Sequence, residues 1–215
     1  QEQSPNSIIE NNVSIYKNKN IVIDTSLVLY KNISALRNTG KDLTDKNGKI
    51  TSHIFAIIQN SLFFLDRGMK PIFIFDGKAP ELKKNTLDDR KKLKKSASDK
   101  KDNALTKEEE IKYFKRSLFI SKEQYDDCKK VLKMLGIPFI QADGEADCLC
   151  AYLVKNKFAY AAYSEDMDFL SFGCPKLIKN IKGTKAIEIN LEDVLKGFEM
   201  DINSFINLTI LLGCD

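Results

Sequence analysis

Acidic residues follow the strand-like segments of this sequence where each segment ends. The ligand-binding edge of an open α/β sheet lies beyond the carboxyl ends of its strands, so these carboxylates are predicted to converge there. Convergence is costly unless cations neutralise the charge, and a set made only of oxygen ligands suits Mg²⁺ or Mn²⁺. The predicted metal ligands are Asp24, Asp76, Glu145, Asp147, Asp166, Asp168 and Asp215.

Taken singly, each acid has a simpler interpretation. One Asp after a strand is most often a turn former or a helix N-cap, and Asp24 fits that interpretation. Glu145 and Asp147 lie two residues apart and must occupy an irregular first helical turn to share a site. Asp166 and Asp168 point the same way if strand geometry persists to them. The recurrence of acids, rather than any one of them, favours a metal site.

Short β-branched or apolar runs alternate with segments of helical period. Ser26 is a predicted helix N-cap, and the pairs Thr106 with Glu109 and Ser121 with Gln124 predict capping boxes. The order of elements predicts an α/β fold with a mostly parallel central sheet flanked by helices, and a long basic helical segment inserted after the second strand. The predicted strands are residues 20–24, 71–75, 138–141 and 158–164, followed by a hairpin of 176–181 and 185–189.

The positive charge is concentrated in one segment. The net charge of the chain is +4, yet residues 78–122 carry fifteen Lys or Arg against eight Asp or Glu. A basic cluster gains affinity for a phosphate backbone by releasing counterions, although a solvated lysine-rich surface fits the charge equally well. Residues 83–103 hold too few apolar side chains to offset their ordering entropy. We therefore expect them to be mobile alone and helical with nucleic acid.

The composition excludes several classes of protein. A chain of 215 residues with 43% hydrophobic and 30% charged residues is folded, and its apolar runs are too short to span a membrane. A single histidine, His53, argues against a zinc site or a His-based triad. Five cysteines without CxxC spacing favour a reducing compartment. The chain starts without Met and stops after an apolar run, so we expect a fragment.

The sequence resembles the structure-specific 5′ nucleases in four successive segments, which are FDGKAPELK at 75–83, GIPFIQADGEAD at 136–147, SEDMDFLSFG at 164–173 and LLGCD at 211–215. The first segment is more similar to the flap endonucleases than to their DNA-repair, exonuclease and junction-resolving relatives. The resemblance extends over nearly the whole chain.

This resemblance implies a PIN-like nuclease fold and one 5′-nuclease catalytic domain over residues 1–215, with an N-terminal region of about 1–103 and an internal region of about 104–215. It implies an enzyme with two Mg²⁺ ions, replaceable by Mn²⁺, that cuts 5′ flaps from branched DNA during replication and repair. A 5′ to 3′ exonuclease activity and a 5′-phosphate product belong to the same expectation. All seven acids correspond to family metal ligands, although the family usually has Glu where this chain has Asp147.

The resemblance also assigns roles to basic and aromatic residues. Lys83 and Arg90 correspond to the two active-site basic residues, and their spacing of seven would place both on one helical face. Tyr30 corresponds to the aromatic on which a base stacks beside the scissile phosphate. From the residues alone, the simpler interpretation of Lys83 is one solvated lysine among many. Tyr30 is equally a core or rim aromatic. The basic segment corresponds to the helical arch that the flap passes through, and its predicted substrate contacts are Lys78, Lys84, Lys91, Lys94 and Lys95.

Partners and location follow from the same family. We expect 5′-flap and other branched DNA as substrate, a monomer, no membrane contact and an intracellular protein, nuclear if eukaryotic. A sliding clamp is the expected partner of the full-length protein, whose duplex-binding and clamp-docking parts are expected to lie beyond this chain. Two alternatives stay open, namely a DNA-binding scaffold with an inactive nuclease fold and a single-domain ribonuclease.

Overall fold

The computed structural model of the chain describes residues 5–214, apart from the side chains of Pro5, Leu82, Lys84 and Leu87. Within that range the chain forms two compact units. The first comprises residues 5–25, 62–77 and 138–214, and the second comprises residues 26–61 and 78–137. No helix within residues 5–214 is both long and apolar enough to cross a bilayer.

The first unit is built on one mixed sheet, which has seven strands within the described range. In chain order the strands are β1 (Ile8–Asn12), β2 (Asn20–Asp24), β3 (Lys70–Phe75), β4 (Phe139–Gln141), β5 (Ala161–Tyr163), β6 (Lys176–Lys182) and β7 (Lys185–Asn190). Their spatial order is β1-β7-β6-β5-β2-β3-β4. The five strands from β6 to β4 run parallel, and β7 and β1 are antiparallel additions at one side. The predicted mostly parallel sheet is confirmed.

Nine helices accompany the strands within residues 5–214. They are α1 (Thr25–Leu36), α2 (Ser52–Leu65), α3 (Lys84–Asp102), α4 (Lys107–Arg116), α5 (Lys122–Met134), α6 (Ala146–Lys155), α7 (Asp168–Ser171), α8 (Leu191–Gly197) and α9 (Ile202–Leu211). In the first unit α6 buries Ala146, Cys150 and Val154 at helical spacing in the core that also contains Val22 and Ile74 of the sheet. This packing fixes α6 against the strands that precede the acids.

Two strand predictions need correction. The predicted strand 158–164 is only three residues long as β5, because the backbone amides of Phe158 and Ala159 both donate to the Leu153 carbonyl and so close the end of α6. The prediction missed β1, whose apolar residues Ile8 and Ile9 do not alternate with polar ones. Pairing with β7 orders this edge strand instead.

The second unit contains α3, α4, α5 and most of α1 and α2. The capping box of α5 is confirmed, since Gln124 N donates to Ser121 Oγ at 3.2 Å and Ser121 N donates to Gln124 Oε1 at 2.9 Å. The box at Thr106 is only half formed, because Glu109 Oε2 accepts from Leu105 N instead. Ser26 is not an N-cap, since α1 begins one residue earlier.

Two lysines of the basic helix α3 contact aromatic rings of its unit. Lys94 Nζ lies 4.5 Å from the ring centroid of Tyr30, and Lys101 Nζ lies 4.7 Å from that of Phe114. The Arg37 guanidinium stacks 4.1 Å from the Phe114 centroid and donates to the Phe114 carbonyl at 2.8 Å. Ala97 is buried, whereas Leu93 is 70% exposed. Cation–π contacts therefore supply part of what an apolar face would supply in an ordinary helix.

Candidate active site

Five of the predicted metal ligands lie at one edge of the sheet in the first unit. The adjacent parallel strands β5, β2, β3 and β4 all direct their carboxyl ends to this edge. Asp24 is the last residue of β2, Asp76 follows β3, and Asp166 follows β5. Glu145 and Asp147 lie between β4 and the first turn of α6. The sequence prediction placed these five acids correctly along the chain.

A close approach of two loops builds the base of this edge. A Cβ atom on Gly77 would lie 2.1 Å from the carbonyl oxygen of Ala142, so no side chain fits there. Gly77 N donates to the Gly144 carbonyl at 2.7 Å, and Asp76 Oδ1 accepts from Ala146 N at 2.9 Å. The Asp76 carboxylate therefore satisfies an open amide at the start of α6. The loop after β3 thus fixes the helix turn that carries Asp147.

Asp147 is half-buried and carries a buried carboxylate oxygen. One of its oxygens, Oδ1, is buried and has no hydrogen-bond partner among the described residues. Burial and then the charges of Asp76, Asp166 and Glu145, in that order of size, together raise the pKa of Asp147 from 3.8 to about 7. A hydrogen bond with Asp24 lowers the same pKa. Five of the seven predicted acids therefore share one electrostatic environment.

The other two predicted ligands differ from the expectation. Strand geometry does not persist from Asp166 to Asp168, because β5 ends at Tyr163 and Asp168 begins α7. Asp166 N donates to Ser164 Oγ and Asp168 N donates to Asp166 Oδ1, both at 3.0 Å, so a turn replaces the strand. Asp215 lies outside the described residues.

The acids of this edge are of the right chemical type to bind a divalent cation, but they are not arranged around a single ion. Within residues 5–214, no three Asp, Glu, His or Cys side chains are placed so that they could hold one metal ion. The donors are nevertheless all carboxylate oxygens, and Asp147 Oδ1 lacks a partner. A cation there would satisfy that oxygen and offset the repulsion among its neighbours. The seven-residue ligand set stays a prediction.

Lys83 and Arg90 belong to the second unit. Lys83 lies in a 3₁₀ turn, Glu81–Lys83, and is the N-cap of α3, whereas Arg90 lies within α3. The seven-residue spacing therefore runs from a 3₁₀ turn into α3, instead of joining two positions within one α-helix. The turn forms because Lys83 N donates to the Pro80 carbonyl at 3.1 Å before the helix starts.

A basic cavity of about 380 Å³ in the second unit involves both α3 and α4. Arg90, Lys94, Lys100 and Arg116 line it, and Tyr113 adds an aromatic wall. Tyr113 and Arg116 are not among the predicted site residues. Their spacing of three on α4 places them on one helical face, which is the signal that could have identified them. Such a lining suits an anion.

Tyr30 is covered by a lysine of the basic segment. Lys94 Nζ donates to Tyr30 Oη at 3.0 Å and also lies over the ring. A base that stacks on this face of Tyr30 must therefore displace Lys94. Among the other predicted contacts, Lys78, Lys91 and Lys95 are exposed, Lys91 pairs with Asp88 at 3.3 Å, and the Lys84 side chain lies outside the described residues.

Two family models match the chain, the XPG N-terminal domain at residues 2–97 and the XPG I-region at residues 136–215. Flap endonuclease 1 of Candida glabrata is 38% identical over 220 residues, which cover 100% of this chain and 58% of the relative. Flap endonuclease 1 of Methanococcus aeolicus is 38% identical over 223 residues, covering 99% of this chain and 68% of the relative. The solved flap endonuclease-1 from Methanococcus jannaschii is 29% identical with a TM-score of 0.72, and the match covers 99% of this chain and 70% of that one.

The two XPG regions lie on either side of α4 and α5, and with the sheet and its acids they define a PIN-like nuclease core of the XPG class. The chain belongs to the flap endonuclease family, as its identity to the archaeal relative shows. It spans 56–58% of the length of the first three curated relatives that it matches.

Proposed function

We propose that this chain carries the catalytic core of a structure-specific 5′ flap endonuclease, an enzyme that hydrolyses phosphodiester bonds in branched DNA. The observation that carries the proposal is the half-buried Asp147 carboxylate, whose Oδ1 is buried, together with four other acids at the carboxyl ends of parallel strands. Membership of the flap endonuclease family supports the substrate. In a scaffold without activity, the repulsion among these neighbouring carboxylates would destabilise the fold without serving catalysis.

We propose Mg²⁺ as the cofactor, two ions per site, with Mn²⁺ as a substitute. Bound ions would supply positive charge that lowers the pKa of an attacking water and stabilises the leaving oxygen. Asp76 positions the first turn of α6 by accepting a hydrogen bond from Ala146 N. This helical turn then orients Glu145 and Asp147. The proposed ligands are Asp24, Asp76, Glu145, Asp147, Asp166, Asp168 and Asp215, and the proposed product carries a 5′ phosphate.

The basic side chains of the second unit are proposed to act on the substrate. Lys83 and Arg90 would donate to the scissile phosphate and offset the charge that develops on it. Arg90 can contact phosphate with two donors, whereas lysine offers a point charge. Tyr30 is proposed to stack a base once Lys94 leaves its ring. The proposed contacts to the flap backbone are Lys78, Lys84, Lys91, Lys94 and Lys95.

The test is cleavage of a 5′-flap duplex by this chain with Mg²⁺ and, separately, with EDTA. We expect incision near the base of the flap with Mg²⁺, a 5′-phosphate on the product and no incision with EDTA. A blunt duplex without a flap and a single-stranded RNA serve as comparison substrates. Binding of the flap without incision would favour a scaffold, and faster cleavage of RNA would favour a ribonuclease. Either result would refute the proposal.

Partners and location are proposed from family membership alone. We propose that the full-length protein acts as a monomer, docks on a sliding clamp and works where DNA is replicated and repaired. In a eukaryotic cell that place is the nucleus. Cross-linking of the full-length protein to a clamp during DNA synthesis would test this.

A further inference from the structure

A second basic cavity lies in the first unit, at the amino-terminal ends of the parallel strands. Its volume is about 590 Å³, within the range of ligand-binding pockets. Its walls come from residues next to the starts of β2, β3, β5 and β6. The acids lie at the opposite ends of the same strands, and a five-residue strand such as β2 is roughly 15 Å long. The cavity is therefore separate from the carboxylates.

Lysines dominate this cavity, and no acidic side chain lines it. The lysines are Lys19, Lys70, Lys155, Lys157 and Lys176. Lys176 Nζ lies 3.8 Å from Glu188 Oε1, and within residues 5–214 the other four lysines form no ion pair. Five positive charges around one cavity repel each other, and a ligand with several negative charges would offset that repulsion.

Two aromatic side chains lie among these lysines. Lys19 Nζ and Lys176 Nζ lie 5.3 Å and 4.4 Å from the ring centroid of Tyr160, and Lys176 Nζ also donates to Tyr160 Oη at 3.1 Å. Phe158 is 63% exposed at the same cavity. Sites for single-stranded nucleic acid combine a basic groove with exposed rings on which bases stack. The side chains of this cavity match that combination.

The backbone of this cavity is unusual as well. Lys157 has a φ of +64° and Asn18 a φ of +63°, and they are two of the three non-glycine residues with positive φ within the described range. Lys157 follows the end of α6, a position where glycine or asparagine is usual. A lysine there opposes the preference of the backbone and adds a charge to the cavity.

We propose that this cavity binds a single-stranded segment of nucleic acid, with its phosphates on the lysines and a base on Phe158. A duplex suits the cavity less, because its stacked bases offer no free face to the ring. The strand bound here is either a second strand or a distant part of the one at the carboxylates, since the two sites lie at opposite ends of the sheet. The proposal does not depend on catalysis.

The first test removes charge from the cavity. Binding of a fluorescent ten-residue oligothymidylate is followed by anisotropy in EDTA for the double variant Lys70→Glu with Lys157→Glu. We expect its affinity to fall by about tenfold or more and the slope of log affinity against log salt to weaken by roughly 1.4 for two lost phosphate contacts. The matched control is Lys46→Glu with Lys182→Glu, which changes two exposed lysines outside the cavity. Equal losses in both double variants would refute the proposal.

The second test separates binding from folding. Lys157→Gly removes the charge and suits the positive φ, so we expect weaker oligonucleotide binding with a melting temperature that is unchanged or higher. Glu199→Gly changes the other positive-φ residue, at +53°, and should not weaken binding. If Lys157→Gly left the affinity unchanged, the cavity would not be a nucleic-acid site.

The third test identifies the ligand. Thymidine monophosphate and inorganic phosphate each offer one phosphate group where the strand offers several, so they should compete weakly. A short oligonucleotide carrying 5-iododeoxyuridine should cross-link to Phe158 or Tyr160. Tight displacement by the mononucleotide or by phosphate would indicate a small-ligand site, and cross-links confined to residues 83–116 would place the strand elsewhere. Either result would overturn the proposal.

Discussion

Asp147 shows how the carboxylate cluster and a cation would depend on each other. Its pKa of about 7 means that, without ions, a proton occupies this carboxylate for much of the time at neutral pH. A divalent cation competes with that proton, because both neutralise the same buried charge. The cost of the cluster in the ion-free protein is therefore expected to appear in the pH dependence of its stability.

Raising the pH should destabilise the ion-free protein through Asp147. The carboxyl group binds its proton more tightly in the folded state than in the unfolded state, where its pKa is 3.8. Its contribution to stability is therefore lost as the pH rises from about 4 to about 7. In EDTA, the melting temperature of the wild type should fall relative to that of Asp147→Asn over this range.

Added Mg²⁺ provides the control for that prediction. At pH 7.5 it should raise the melting temperature of the wild type more than that of Asp147→Asn, because ligands that bind only the folded state stabilise it. Parallel melting curves for the two proteins at all pH values, with and without Mg²⁺, would show that Asp147 is not the buried carboxylate of a metal site.

Lys83→Ala and Arg90→Ala should each slow the chemical step of flap cleavage by about 10²- to 10³-fold. The physical reason is that groups acting on transition-state charge affect the rate more than the affinity. Single-turnover rates and flap-binding constants measure the two effects separately. Lys92→Ala is the control, since Lys92 is exposed on α3 and pairs with Asp89 at 3.0 Å. Equal losses of rate and affinity would make Lys83 and Arg90 ordinary phosphate contacts.

The sequence could predict which acids follow strands, because strand ends can be located from β-branched runs. It could not predict that one oxygen of Asp147 is buried without a partner. The turn that carries Asp147 is held by the close approach of Gly77 to the Ala142 carbonyl and by the hydrogen bond from Ala146 N to Asp76, and these contacts join segments about seventy residues apart. Such contacts leave no local pattern in the chain.

Helix α3 is expected to be weakly stable in the free protein, because few interactions hold it. Leu93 is 70% exposed, and the cation–π contacts of Lys94 and Lys101 contribute only about 0.5–1 kcal/mol each at exposed sites. We expect fast amide exchange over residues 83–103 in the free protein. Adding a 5′-flap duplex in Ca²⁺, which permits binding without cleavage, should slow that exchange by at least about tenfold.

Helix α5 serves as the internal control for that exchange measurement. It has a complete capping box and buries Cys128, Val131 and Leu132, so its amides should be protected with or without DNA. Strong protection of α3 in the free protein, or no gain with DNA, would contradict an arch that becomes ordered on binding and would favour a preformed basic surface.

Elements with a clear periodic pattern were predictable, and those set by pairing or turns were not. Strand β2 and the closing hairpin agree with the prediction within a residue or two. The edge strand β1 was missed because only its pairing with β7 makes it a strand. Lys83 was placed in a helix because spacing cannot reveal a 3₁₀ turn that precedes one. Local pattern therefore predicts regular elements better than the positions of single functional residues.

The protein has two clusters of positive charge, the basic segment and the lysine-lined cavity, and only the first can be recognised in the sequence. The basic segment at 78–122 is continuous, so counting along the chain reveals it. The lysines of the 590 Å³ cavity come from four separate segments of a remainder that is acidic in total, so only the fold brings them together. If both surfaces bind nucleic acid, the protein contacts its substrate at more than one place.

The most direct test of the proposed function is the single-turnover rate of flap cleavage by Asp166→Asn across a range of Mg²⁺ concentrations. The amide oxygen can still accept from Asp168 N, so the local turn should survive while one negative charge of the cluster is lost. Asp143→Asn is the control, an exposed acid beside α6 outside the predicted ligand set. We predict that Asp166→Asn abolishes cleavage at every Mg²⁺ concentration, keeps flap binding within a few fold, and leaves the control near wild type. Cleavage by Asp166→Asn at close to the wild-type rate would contradict a metal-dependent active site at these carboxylates.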